Sequence, residues 1–367
     1  MEVTIPDDKR QKALELLQSH WGVHRRSFSL REAASLLGNM LSLCRVCKWG
    51  IFLFTVLLHE ITALLDSNSR RLMQTKEFQE LTEQAARHPT DSSKYRFFSS
   101  KTAQAIWKHK AVTWIGIGLR EELAFVTTVL SNPEIYKWAS PIAHMIPREP
   151  DFEIWQDACL QGAGGFSLSL RFWWALEWDD AIYKRTLRFL PQQDQYLLSI
   201  NLLEYAALII GLAAAILAWE ELPPAHQPNH PIALLWTDNT SAAAWTKKVA
   251  GLKGPQGKAL ARIFAHLLMF SDMGINAKHI AGDQNHIADF LSRIRETDDF
   301  SRFSHASLSQ KFPQLHTSRR FIPSPELLSL VSSALLSGSR GIPTTRITLG
   351  QLKAAKATTP SSAAPLK

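Results

Sequence analysis

"LLWTDNTSAAAW", residues 234–245, runs an apolar stretch into a single carboxylate, Asp238, and follows it at once with a turn of helix-forming alanines. A short apolar run that ends in a charge reads as a buried strand, and the Asn-Thr-Ser behind it reads as a helix start. A strand that passes directly into a helix is the repeating step of α/β architecture. Upstream, "IWQDACLQGAGGFSLSL" (154–170) and "RFWWALEW" (171–178) read as paired strands, glycine-rich where they meet, and "NLLEYAALIIGLAAAILAW" (201–219) reads as a long apolar helix. Downstream, "PQGKALARIFAHLLMFSDM" (255–273) has helical periodicity, "INAKHIAG" (275–282) is strand-like, and "HIADFLSRI" (286–294) is a closing helix. The order predicts an α/β domain over 151–300: a mixed five-stranded sheet flanked by helices.

The preceding residues, 1–150, read as a mainly helical domain. Ser29 followed by Glu32 is a capping box, and Leu30, Ala33, Ala34, Leu37, Met40 and Leu41 recur at helical spacing. "KEFQELTEQAARH" (76–88) and "SSKTAQAIWKHKAVTWIG" (99–116) read as further helices. The prolines of "SPIAHMIPREPDF" (140–152) put the boundary near Pro150. Beyond 300 the composition turns to Ser, Pro, Ala and Thr, which predicts a mostly flexible tail with one helix at "SPELLSLVSSALLSG" (324–338) and a disordered end, "KAAKATTPSSAAPLK".

Lys and Arg number 41 against 33 Asp and Glu, a net charge of +8 that favours a polyanionic partner. Lys94, Arg96, Lys101, Lys108 and Lys110, interleaved with aromatics such as Trp107, fit a nucleic-acid backbone, and they fit an ordinary solvated helix face equally well. No secretory signal is visible at Met1, and three cysteines suit a reducing, intracellular setting. Cys44 and Cys47 are two thiols where structural zinc takes four ligands, so they read as helical core residues. "WGIFLFTVLLHEITALL" (49–65) is interrupted by His59 and Glu60, which argues for a buried helix and against a membrane span of ~20 uncharged residues. Its "HEITA" lacks the second histidine of a zinc protease helix, and "GLKGPQGKA" (251–259) departs from a phosphate loop at Leu252 and Ala259, so it reads as a plain loop.

Four acids stand out by position. Asp157 falls in the first strand, Glu204 opens the apolar helix, Asp238 ends the buried strand, and Asp289 begins the closing helix. An ionised carboxylate set in apolar sequence costs several kcal/mol, on the order of the penalty for any unpaired buried charge, unless a cation compensates it. Carboxylates gathered from two strands and two helices make a cage of hard oxygen donors suited to a divalent metal. The plainer alternative is that each acid caps a helix or pairs with an arginine.

"DACLQGAGGF", "INLLEYAAL", "WTDNTSAAAW" and "KHIAGDQNHIADFLSR" resemble the ribonuclease H domains of retrotransposon reverse transcriptases over roughly residues 150–295, and the proline-rich linker is similar to that of DIRS-like elements. The resemblance extends upstream, where "VTIPDDKRQKALELL" and "SFSLREAASLLGNMLSL" look like thumb and connection segments. It implies a ribonuclease H-like sheet that binds two Mg²⁺ ions, replaceable by Mn²⁺, through Asp157, Glu204, Asp238 and Asp289. The implied activity is hydrolysis of the RNA strand of an RNA/DNA hybrid, with Asn239 beside the substrate. It also implies a loop histidine aiding product release; His286 is that candidate, while His279 reads as structural. Cys159 stands where the family more often has serine, and no Tyr-x-Asp-Asp motif is present, so a polymerase palm is missing and an upstream polymerase region is a partner to be supplied separately. The alternatives are a non-catalytic nucleic-acid-binding remnant, or a different nuclease or recombinase on the same fold.

Overall fold

A computed structural model describes residues 1–136, 138–191, 195–248, 252, 254–294 and 305–337. The chain divides into two compact units: Thr4–Ala139, and Ser140 onward together with Met1–Val3. The division falls upstream of Pro150 because the proline-rich segment is tied to the second unit, where Arg148 Nη2 donates to the His230 carbonyl at 2.7 Å and His144 Nε2 lies 3.2 Å from the same oxygen.

The first unit is mainly helical: α1 (Asp7–His20), α2 (Leu30–Cys44), α3 (Thr55–Leu72), α4 (Lys76–Arg87), α5 (Ser92–Lys108) and α6 (Ile117–Ser131). The capping box at α2 is complete, with the Ser29 hydroxyl accepting from the Glu32 N–H and the Glu32 carboxylate accepting from the Ser29 N–H. The helix expected over 99–116 stops at Lys108. Val112–Trp114, β-branched and aromatic, instead pairs antiparallel with Ser27–Ser29. Cys44 ends α2 and Cys47 lies beyond the helix; burial pushes both thiols up to about 12.

The second unit holds a six-stranded mixed sheet. In chain order its strands are β1 (Phe152–Ala158), β2 (Gly162–Ser167), β3 (Phe172–Glu177), β4 (Ile232–Thr237), β5 (Gly274–His279) and β6 (Arg319–Arg320). Across the sheet they run β5-β4-β1-β2-β3-β6. The first three form an antiparallel meander, while β4 and β5 join parallel to β1. Helices α7 (Asp180–Leu187), α8 (Ile200–Glu220), α9 (Thr240–Trp245), α10 (Gly254–Phe270) and α11 (His286–Ser292) connect and cover these strands. The loop expected at 251–259 is helix from Gly254 onward: Gly254, at φ 78°, opens α10, whose first turn accepts Pro255. Gly251 and Lys253 lie outside the described residues.

A sixth strand and a packed C-terminal segment depart from the expected five-stranded sheet and flexible tail. Helix α12 (His305–Lys311), β6 and α13 (Pro325–Ser337) belong to the core of this unit. Leu308, Phe312 and Leu315 close a cluster with Phe166, Trp173, Ile287 and Leu291, and α13 packs along α10. The Ser/Pro-rich composition concealed apolar residues spaced to bury one face. The helix expected at "SPELLSLVSSALLSG" is present as α13, and the expected disordered end lies outside the described residues. Among the described residues two helical stretches, Trp49–Leu72 and Ile200–Glu220, are long and apolar enough to cross a membrane, yet 50% and 78% of their apolar windows are buried within the protein.

A buried carboxylate cluster at the sheet

Strand β1 lies between its neighbours in the sheet, and its Asp157 is 4% exposed, opposite Gly164 of β2. Glu204 sits near the start of α8 and is 3% exposed; Asp238 follows the last residue of β4. One carboxylate oxygen from each of these three lies within 4.8 Å of the others. The reason they meet is topological. Parallel strands β1 and β4 are adjacent, so their ends present Asp157 and Asp238 side by side, and α8 packs across β1 with Glu204 at the same end.

Burial, together with the charges of Asp157 and Asp238, pushes Glu204 up to about 9, and hydrogen bonds from the Ala158 backbone and the Thr237 hydroxyl oppose this only in part. The Thr237 hydroxyl donates to Glu204 at 3.4 Å while accepting from the Asn239 N–H at 3.1 Å. Burial likewise lifts Asp157 to about 6, with Asp238 and Asp289 adding to the rise while Ser292 and Arg293 oppose it. Buried like charges of this kind favour either protons or a cation in their midst. Three hard oxygen donors at this spacing suit a divalent ion such as Mg²⁺ or Ca²⁺.

Asp289, the fourth candidate, stands outside the group of three. Its Oδ1 accepts from Arg293 Nε at 2.9 Å and Nη2 at 2.5 Å, one helical turn along α11. His286, exposed at the start of α11, has its ring 6.1 Å from that of Phe312, and His279 is exposed at the end of β5. Asn239 caps α9, its side chain accepting from the Ala242 N–H and donating to Asn201 at 2.8 Å. The basic and aromatic set sits apart from the acids in sequence and in unit: Lys94, Arg96, Lys101, Trp107 and Lys108 lie on α5, which buries none of its residues, and exposed Lys110 follows it. Lys94 pairs with Asp91 at 3.7 Å, and Lys101 Nζ stands 5.5 Å from the Phe97 ring centroid.

The cluster has three supports that sequence reasoning did not assign. A Cβ on Gly164 would come within 2.5 Å of the Leu291 backbone, and one on Gly162 within 2.8 Å of the Ser292 carbonyl, so the glycines of β2 let α11 lie directly on the sheet. Asn285, 1% exposed before α11, donates to the Gln156 carbonyl at 3.1 Å and so ties the helix to the residue before Asp157. Cys159 adds a third tie, its thiol reaching the Ser292 carbonyl at 3.1 Å. The glycine run was the signal for the first of these. A polar side chain that bonds a distant backbone atom leaves no periodic trace.

Comparison with models of known protein families, with curated proteins and with solved structures finds no match to this chain.

Proposed function

We propose that the second unit is a ribonuclease H-like nuclease that hydrolyses the RNA strand of RNA/DNA hybrids with two divalent metal ions. The observation that carries this reading is the meeting of Asp157, Glu204 and Asp238 within 4.8 Å, contributed in that order by a strand, a helix and a strand end. The sheet supports it, since a mixed sheet flanked by helices is what the resemblance implies, to which this chain adds β6.

The donor set fits Mg²⁺ because it consists of carboxylate oxygens alone. Asp157, Glu204 and Asp238 would hold the metal, with Asp289 contributing once released from Arg293. When bound, paired ions of this class activate water and stabilise the leaving oxygen of an in-line displacement. The protein's own part is positional. Thr237 steadies Glu204, Asn285 and the β2 glycines seat α11, and burial keeps bulk water from screening the charges. Selection of the RNA strand would rest on its 2′-hydroxyls.

A labelled hybrid incubated with Mg²⁺ or Mn²⁺ tests the reading. RNA-strand cleavage is expected, with duplex DNA spared and with Asp157→Asn and Asp238→Asn each inactive while folded. Wild-type rates in either variant would refute the metal site, and equal cutting of duplex DNA would move the assignment to another nuclease. The Asp289–Arg293 pair favours a second reading, a non-catalytic nucleic-acid-binding remnant of a retroelement, which predicts hybrid binding without cleavage.

A further inference from the structure

We propose that α11 and the end of α12 form a phosphate-binding lip on the helix that carries the fourth candidate acid, with Lys311 as its cation. This rests on the nucleic-acid reading above, and extends it to how the backbone of the substrate is gripped within the second unit itself. Leu308, Phe312 and Leu315 are buried against Ile287 and Leu291, so α12 is fixed to α11 by apolar packing. That packing sets Lys311 Nζ 3.6 Å from the ring centroid of Phe290 and 5.7 Å from that of Phe312. Phe290 and Asp289 both belong to α11, so the helix that carries the fourth carboxylate also holds this cation.

Arg293 on the same face spends its charge on Asp289, but no carboxylate among the described residues pairs with exposed Lys311. A cation held by a ring, with no acidic partner among the described residues, presents its charge to a ligand. The contact with Phe290 also restricts the lysine in advance. Less side-chain freedom is then lost on binding. A phosphodiester backbone is the occupant that matches: anionic, extended, and required to pass the acids if it is to be cut.

The test is equilibrium binding of the full chain to an RNA/DNA hybrid across a salt series, with Ca²⁺ replacing Mg²⁺ to suppress cleavage. Lys311→Gln should weaken binding several-fold at low salt and reduce the slope of log K against log salt by about 0.9 for one lost phosphate contact. Lys311→Arg should restore both, and an unchanged melting temperature should accompany each variant. An unaltered slope and affinity in Lys311→Gln would overturn the lip. If the wild-type chain binds no nucleic acid, the lip falls as well. Hybrid cleavage with a salt slope indifferent to Lys311 would sink the lip and spare the nuclease, whereas Lys311-dependent binding without Mg²⁺-dependent cleavage would uphold the lip and sink the nuclease.

Discussion

Glu204 is where burial and charge conflict most, and the conflict has a measurable sign. Its proton affinity in the folded chain rises from 4.5 to about 9, and that of Asp157 from 3.8 to about 6. A carboxyl group with a raised folded value binds more protons folded than unfolded, so it contributes stability below its ordinary value and loses it as pH climbs to the folded value. Thermal unfolding of the metal-free protein is therefore expected to show Tm falling from about pH 4.5 towards pH 9, with Glu204→Gln flattening the profile and raising Tm at neutral pH. A pH-independent Tm in the wild type would show that the three acids are not packed as described. Asn285 gives a second residue-level expectation. Asn285→Ala deletes a buried bond to the Gln156 carbonyl and strands that oxygen, a loss of ~1–3 kcal/mol, readable as a lower denaturant midpoint. Such a residue could not be picked out in advance, because its partner lies far away in sequence and its own neighbours follow no pattern. The four acids could be, because an isolated charge in an apolar run is visible without a partner. Which three would meet, and that Arg293 would claim the fourth, depended on packing at the level of ångströms.

Among the elements, β2 and α11 are mutually dependent. The close approach of α11 has no room for a methyl at residue 164, so Gly164→Ala should lift the helix from the sheet, lower Tm and disturb Asp289 and Ser292 together. Unchanged hydrogen-exchange protection of α11 in that variant would refute the contact. From above, α11 is held by Leu308 and Phe312, and Phe312→Ala should cost about 3–5 kcal/mol as a buried aromatic truncation. Urea unfolding followed by fluorescence would measure it. These elements show where sequence legibility ended. Long apolar segments such as α8, and apolar strands running into a charge such as β4, announced themselves by hydropathy. Strand β6 is two residues of arginine, and α12 is seven residues without a strong pattern; both exist because the sheet and α11 offer them a surface. The short strand at Val112–Trp114 was likewise masked by helix-like neighbours.

At the scale of the whole molecule, the packed segment 305–337 changes what counts as the minimal active fragment. Residues 150–300 contain every candidate acid, yet that fragment omits Leu308, Phe312, Leu315, Leu327, Val331 and Leu335, all buried. It is expected to be expanded and poorly folded, whereas 140–337 should unfold cooperatively; circular dichroism melts of the two would separate these outcomes. The same arrangement has a consequence in time. The carboxylates emerge from the ribosome in the order 157, 204, 238, 289, and the residues that clamp the last of them emerge later still. A nascent chain therefore carries the acids before the segment that clamps α11, and under the nuclease reading it gains hybrid cleavage only after translation has passed Leu335.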